Sequence, residues 1–300
     1  MKDNSSFLII GCGDIGRRVA KRLIQQGFEV SATSHSSNSE KLESIGINTF
    51  SADLDSPESL QNINRSFDYV FYFAPPNSLG ITDSRITGFL NSYLKTHLCK
   101  RLLYISTTGV YGDQNEKWID ENTPTNPTVD RSLRRLNAEE QVKSFSQKFG
   151  VDFIIVRVAG IYSLEKLPIN RLQHGKQILD RKLSGSSNRI HADDLAQICV
   201  TAILNSNTGE IYNATDGHPS TMSDYFIEVA NTFDLPKPEE VDWKFAEENF
   251  TPAMLSYLKE SKKISAEKIQ QQLGITLKYP SLKEGLEQCL EQYNAENKTS

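Results

Sequence analysis

The stretch FLIIGCGDIGRRVAKRLIQQGFEVSAT, residues 7–33, decides the fold. Four apolar residues, Phe7 to Ile10, run into Gly11-Cys12-Gly13-Asp14-Ile15-Gly16, and a helical pattern begins at once. Ile15, Val19 and Leu23 share one face of that helix. Arg17, Arg18, Lys21 and Arg22 fall elsewhere and read as a solvated face, and Gly27 supplies the stop. A second strand, 28–33, follows. A GxGxxG run alone is weak, because glycines also mark ordinary turns without a ligand. Between a strand and a helix it meets the needs of a dinucleotide pyrophosphate. Gly11 permits the tight turn, Gly13 lets the backbone approach the phosphates, and Gly16 lets the helix close on the strand. The helix N-terminus adds free N–H groups and a positive dipole. Gly11, Cys12, Gly13, Asp14, Ile15 and Gly16 are therefore the first cofactor-binding candidates, for NAD or NADP.

Further strands read at INTF (47–50), YVFYFA (69–74), RLLYIST (101–107) and FIIVRV (153–158). Several are near-continuous apolar runs, as strands buried on both faces of a parallel sheet must be. Their alternation with helices predicts an α/β protein with a doubly wound parallel Rossmann sheet. The expected division is an NAD(P)-binding domain over 1–162 and a smaller substrate-binding region over 163–300. One strand near 210–214, EIYNA, is expected to return to the sheet. Helices are predicted around 222–233, 253–260 and 280–293. LPKPEEVDWKFAEENFTP (235–252) reads as a long connection, and the tail NAENKTS as fraying.

The rest of the composition narrows the class. With 38% hydrophobic residues, 24% charged residues and a net charge of −5, the chain has an ordinary globular balance. Its slight acidity argues against a nucleic-acid partner. Cys12, Cys99, Cys199 and Cys289 lie far apart with no CxxC pair, so neither a disulfide framework nor a metal site is expected. No run is long enough for a signal-peptide core or a membrane span. The expectation is a soluble cytoplasmic protein with a small-molecule substrate, no membrane partner, and a homodimer as the candidate assembly.

The end of the second strand bears on which dinucleotide is held. An NAD site usually places Asp or Glu there to accept from the ribose 2′-hydroxyl. This chain has Thr33-Ser34-His35-Ser36, and its first acid afterwards is Glu40. Ser34 and His35 join the cofactor candidates, with NADP preferred and NAD the alternative.

Together these residues resemble the extended short-chain dehydrogenase/reductase family, the NAD-dependent epimerases/dehydratases. SADLDS is similar to that family's adenine-contacting Asp-Leu, which implies Asp53 and Leu54. FDYVFYFAPP resembles its fourth strand, with Ala74 beside the cofactor, and YISTTGVYG its fifth, with Thr107 as the catalytic hydroxyl. VDFIIVRVAGIYS, RIHADDLAQ, GEIYNATDG and ISAEKIQQQLGI with YPSLKEGL continue the likeness in order along nearly the whole chain.

Three departures qualify it. The loop is GxGxxG where extended members show GxxGxxG. Aligned on Glu139, Arg131 stands at the catalytic tyrosine of YxxxK and Arg135 at its lysine. Four residues before His191, where sugar-nucleotide members carry a diphosphate-gripping arginine, stands Ser187, with Arg189 out of register. These departures resemble the atypical YeeZ-like subgroup.

An arginine stays protonated near neutrality and cannot alternate as acid and base. Arg135 can still donate to ribose hydroxyls, and is a cofactor candidate. Arg131, Arg134 and Arg135 make either an anion site or a solvated stripe paired with Glu139 and Glu140, with Arg134 expected toward solvent. Thr107 and Tyr111 are the catalytic candidates, although that tyrosine is usually structural in the family. His191 reads as a structural residue or a general acid, and Asp193 and Asp194 as caps of the next helix. The expected function is an NADP-linked oxidoreductase or epimerase with a displaced proton donor. The alternative is a non-catalytic dinucleotide-binding sensor.

Overall fold

The computed structural model describes residues 5–34 and 39–298. Among them, seven strands form one parallel sheet: β1 (Ser6–Ile10), β2 (Glu29–Ser34), β3 (Asn48–Ser51), β4 (Tyr69–Tyr72), β5 (Arg101–Thr107), β6 (Asp152–Val158) and β7 (Glu210–Ala214). Their spatial order is β7-β6-β5-β4-β1-β2-β3. The order reverses between β1 and β4, which opens a crevice at the carboxyl ends of the strands. Every strand read in the sequence is present, including the returning strand, whose Tyr212 pairs with Val156.

Strand β1 shows why the sheet reads as apolar runs. Phe7 and Ile9 face one core and Leu8 and Ile10 the other, all fully buried. The first core lies under the helices α1 (Asp14–Gln25) and α3 (Ala192–Asn205), and the second under α2 (Asp130–Phe149) and Ser84–Phe89. Ala266, Ile269, Ile275 and Leu277 return from late in the chain to complete the first core. A separate apolar cluster, with Tyr162, Leu172, Tyr225, Phe226 and Leu286, forms among the segments that follow β6.

Several local expectations are corrected. Residues 235–252 are not an open connection. Glu240–Val241 pairs with Ile178–Leu179, and Asp242 caps a helix over Trp243–Asn249 by accepting from the Phe245 N–H at 2.9 Å. Burial of Val241, Ala246 and Phe250 against Leu179 and Leu258 holds this segment down. The last helix, Leu282–Lys298, runs through most of the tail expected to fray; residues 299 and 300 lie outside the described residues.

The basic face of α1 is not simply solvated either. Arg18 donates to Asp14 at 2.7 Å and to Asp193 at 2.6 Å, and Arg22 donates to the Asp193 carbonyl at 3.0 Å. The cap of α3 is His191, whose ring accepts from the Asp193 N–H at 3.2 Å. Asp194 instead accepts from the Lys278 and Tyr279 N–H groups at 2.7 and 2.9 Å. His191 lies between Tyr162 and Tyr279, and its burial drops its pKa to about 4. It is a neutral structural ring.

Candidate functional site

The crevice holds two cavities that share the glycine loop. The larger, about 720 Å³, runs over the ends of β2 and β3 and is lined by Gly11, Cys12, Gly13, Ser34, Asp53 and Leu54, with Ala74 opposite. The second, about 340 Å³, passes over α1 and the end of β5, where Asp14, Ile15, Gly16, Thr107 and Arg135 line it. Every cofactor candidate therefore falls in one crevice except His35, which lies outside the described residues.

The glycines do different work. Gly11 adopts φ +86°, and a Cβ there would stand 2.6 Å from the Ala74 nitrogen. Gly16 fits against Ile9 and the Gly11 carbonyl, each 3.2 Å from where a Cβ would stand. A Cβ on Gly13 would meet nothing within 4 Å. Its bareness answers to no protein contact, and fits a ligand phosphate approaching the backbone. Burial pushes the Cys12 thiol up to about 11, against the pull of Arg17, so it stays a neutral wall. Burial raises the pKa of Asp14, but the bonds from Arg18 and Lys166 outweigh it and hold the carboxyl below its ordinary range. Those two cations offset a negative charge that would otherwise repel phosphates at the helix start.

Arg135 marks the joint between this crevice and a third cavity. Its Nη1 donates to the Tyr104 hydroxyl and the Ile105 carbonyl, both at 3.1 Å, and reaches the Ala74 carbonyl at 3.5 Å. With Thr107 it lines both the 340 Å³ cavity and an adjoining one of about 410 Å³. Thr107 accepts from the Gly109 N–H at 3.2 Å, so its hydroxyl both ends β5 and borders the joint.

Tyr111 does not come to this place. Its hydroxyl donates to Asn213 at 2.9 Å, its ring lies 4.8 Å from the Arg157 guanidinium carbon, and it lines none of these three cavities. Arg134 is also corrected. It is buried rather than solvent-facing, and donates to the Gly80 carbonyl. Glu139 is no partner of the arginine stripe. It is fully buried, accepting from Ser106 at 2.6 Å and from Arg157 at 2.7 Å. Arg131 lines the third cavity, donates to Ser256 at 2.6 Å and lies 3.8 Å over the Tyr257 ring.

The sequence reading missed the groups from distant segments. Arg17 and Lys41 line the 720 Å³ cavity beside Thr33 and Ser34. Tyr257, Glu260 and Lys262 line the third cavity from the C-terminal region. Arg17 alone left a trace, as the residue directly after Gly16.

Comparison with known proteins agrees with this geometry. The model of the NAD dependent epimerase/dehydratase family matches residues 7–215. The dTDP-D-glucose 4,6-dehydratase of Homo sapiens is 27% identical over 163 residues, 51% of this chain and 44% of that protein. The match thus spans under half of that relative's length. A functionally unknown conserved protein from Silicibacter pomeroyi superposes with a TM-score of 0.82 at 27% identity, covering 96% of this chain and 99% of that one. Thermus thermophilus UDP-glucose 4-epimerase, in complex with NAD, shares the fold at a TM-score of 0.78 and 19% identity, covering 96% of this chain and 99% of that one.

Proposed function

Since the chain belongs to the NAD dependent epimerase/dehydratase family, we propose that it is an NADP-linked oxidoreductase or epimerase acting on a small molecule in the 410 Å³ cavity. The observation that carries this is the joint. Thr107 and Arg135 border both the crevice built by the glycine loop and the 410 Å³ cavity beyond it. A dinucleotide lying along the crevice would bring its reactive ring to that joint.

NADP is favoured by charge. Arg17 and Lys41 line the cavity at the end of β2, and neither forms an ion pair among the described residues. Arg85, on the same wall, is already held by Asp55 at 2.6 and 2.7 Å. A 2′-phosphate at this point would meet two cations that are unpaired among the described residues, with the Asp53 carboxylate on the same lining. NADP should therefore raise the melting temperature more than NAD at equal concentration, following ligand affinity. Arg17→Ala should lower NADP affinity on the order of tenfold, the loss of a charge-assisted hydrogen bond, while leaving NAD affinity unchanged. A larger shift with NAD in the unaltered protein would reverse the assignment.

Arg135 is assigned to the cofactor, not to proton transfer, because a guanidinium does not titrate near pH 7. Arg135→Ala should weaken NADP binding by about 1–3 kcal/mol. Arg135→Lys should recover part of it. Calorimetric titration decides this, and unchanged affinity in the alanine variant would remove Arg135 from the site.

We read Arg131 at the position of the family's catalytic tyrosine. Proton exchange at a substrate hydroxyl then falls to other groups on this cavity, where Thr107, Tyr257 and Glu260 stand.

A further inference from the structure

A buried guanidinium without a carboxylate is costly, and a fold keeps one only where something compensates. Arg189 is such a group. It is 6% exposed, on the short strand Arg189–His191 that pairs with Gly160–Tyr162. It forms no ion pair among the described residues. Its contacts are the Ser187 hydroxyl at 3.2 Å, the Met222 sulfur at 3.5 Å and the Tyr225 ring at 4.1 Å. Its Nε is buried with no hydrogen-bond partner. The buried Asp216 carboxylate, which accepts from the His218 N–H at 2.9 Å, offsets part of the Arg189 charge from beyond ion-pair distance.

The position is also a site. Arg189 lines both the 410 Å³ cavity and a neighbouring one of about 490 Å³. Gly160 is bare beneath it, and a Cβ there would stand 2.9 Å from Nη1. The other charges of the 410 Å³ cavity lean the same way. Arg131 and Arg135 have no carboxylate partner among the described residues, while Lys262 and Glu260 satisfy each other at 2.7 Å. Nε is closed off from solvent, and Nη2 is held only by a hydroxyl and a thioether. An anionic oxygen is the partner that such a weakly held guanidinium takes.

We propose that this cavity takes a small acid as its substrate and that Arg189 holds the substrate's carboxylate or phosphate group. The proposal rests on the cofactor reading above, and extends it to the substrate class.

The test titrates succinate, inorganic phosphate, neutral butane-1,4-diol and UDP into the full chain with and without NADP, reading melting temperature and calorimetric affinity. Succinate or phosphate should bind, and the better of the two names the head group. The diol should do nothing. Arg189→Met should lose the acid response at least tenfold and keep the NADP shift. Arg189→Lys should keep a weakened response. No response to either acid in the parent, an equal response in Arg189→Met, or a response confined to UDP would overturn the proposal. Absence of an NADP shift in either protein would instead sink the cofactor reading, and the acid titration would still decide the role of Arg189.

Discussion

Replacing Gly11 by alanine is expected to cost about 2–5 kcal/mol of folding stability, the sum of a left-handed backbone strain and an overpacked contact. The strain arises at φ +86°, and the contact is with the Ala74 backbone at 2.6 and 2.7 Å. Neither can relax cheaply, because the Ala74 N–H is tied to the Ile10 carbonyl at 3.1 Å, at the joined ends of β1 and β4. Gly13→Val should behave in the opposite way. Its φ is −76° and a Cβ there would meet nothing within 4 Å, so no clash arises; its ψ of −149° strains a β-branched residue, and the stability loss should stay below that of Gly11→Ala. The valine would occupy the space in which phosphates approach the loop, and the NADP-induced rise in melting temperature should vanish. Urea denaturation and thermal shift, run side by side, separate the two glycines. A Gly13→Val protein with an undiminished NADP shift would place the cofactor elsewhere.

The second large effect is expected at Glu139 and Arg157. Glu139 is fully buried and Arg157 nearly so, and they bond through two contacts, at 2.7 and 3.1 Å. Ser106 supplies the carboxylate's third bond at 2.6 Å, and Arg157 covers the Tyr111 ring, whose hydroxyl reaches Asn213. One ion pair thus ties α2 to β5, β6 and β7. Removing one partner leaves a buried charge unpaired, at a cost of about 3–5 kcal/mol. Glu139→Leu with Arg157→Met should cost much less than the sum of the two single changes, since no charge is then stranded. Denaturation of the three variants measures the coupling. A single variant costing less than about 1 kcal/mol would show that water reaches the pair.

What was legible in the sequence follows from the range of the forces involved. Phe7 to Ile10 and Arg101 to Thr107 read as strands because a parallel strand buried on both faces must be apolar at nearly every position. The cofactor loop was legible because Gly11, Gly13 and Gly16 act within six residues. Arg18 was misjudged because, beside the local Asp14, its partners Asp193 and Glu165 lie far along the chain. The helix at Trp243–Asn249 was missed because only docking of Val241, Ala246 and Phe250 makes so short a helix stable. The isolation of Arg189 is harder still to read. Among the described residues no carboxylate comes within ion-pair distance of it, and spacing along the chain does not display that.

The late segments that complete the first core have a consequence during synthesis. Strand β6 ends at Val158, but its outer edge pairs only with Glu210–Ala214, and the apolar core behind it, already roofed by α3, is completed only once Ala266 to Leu277 arrive. At roughly 5–20 residues per second, translation leaves that edge open and that core incomplete for on the order of ten seconds. An unpaired, apolar strand edge is a template for wrong partners. The nascent chain therefore carries its first core unfinished until residue 277 has been made.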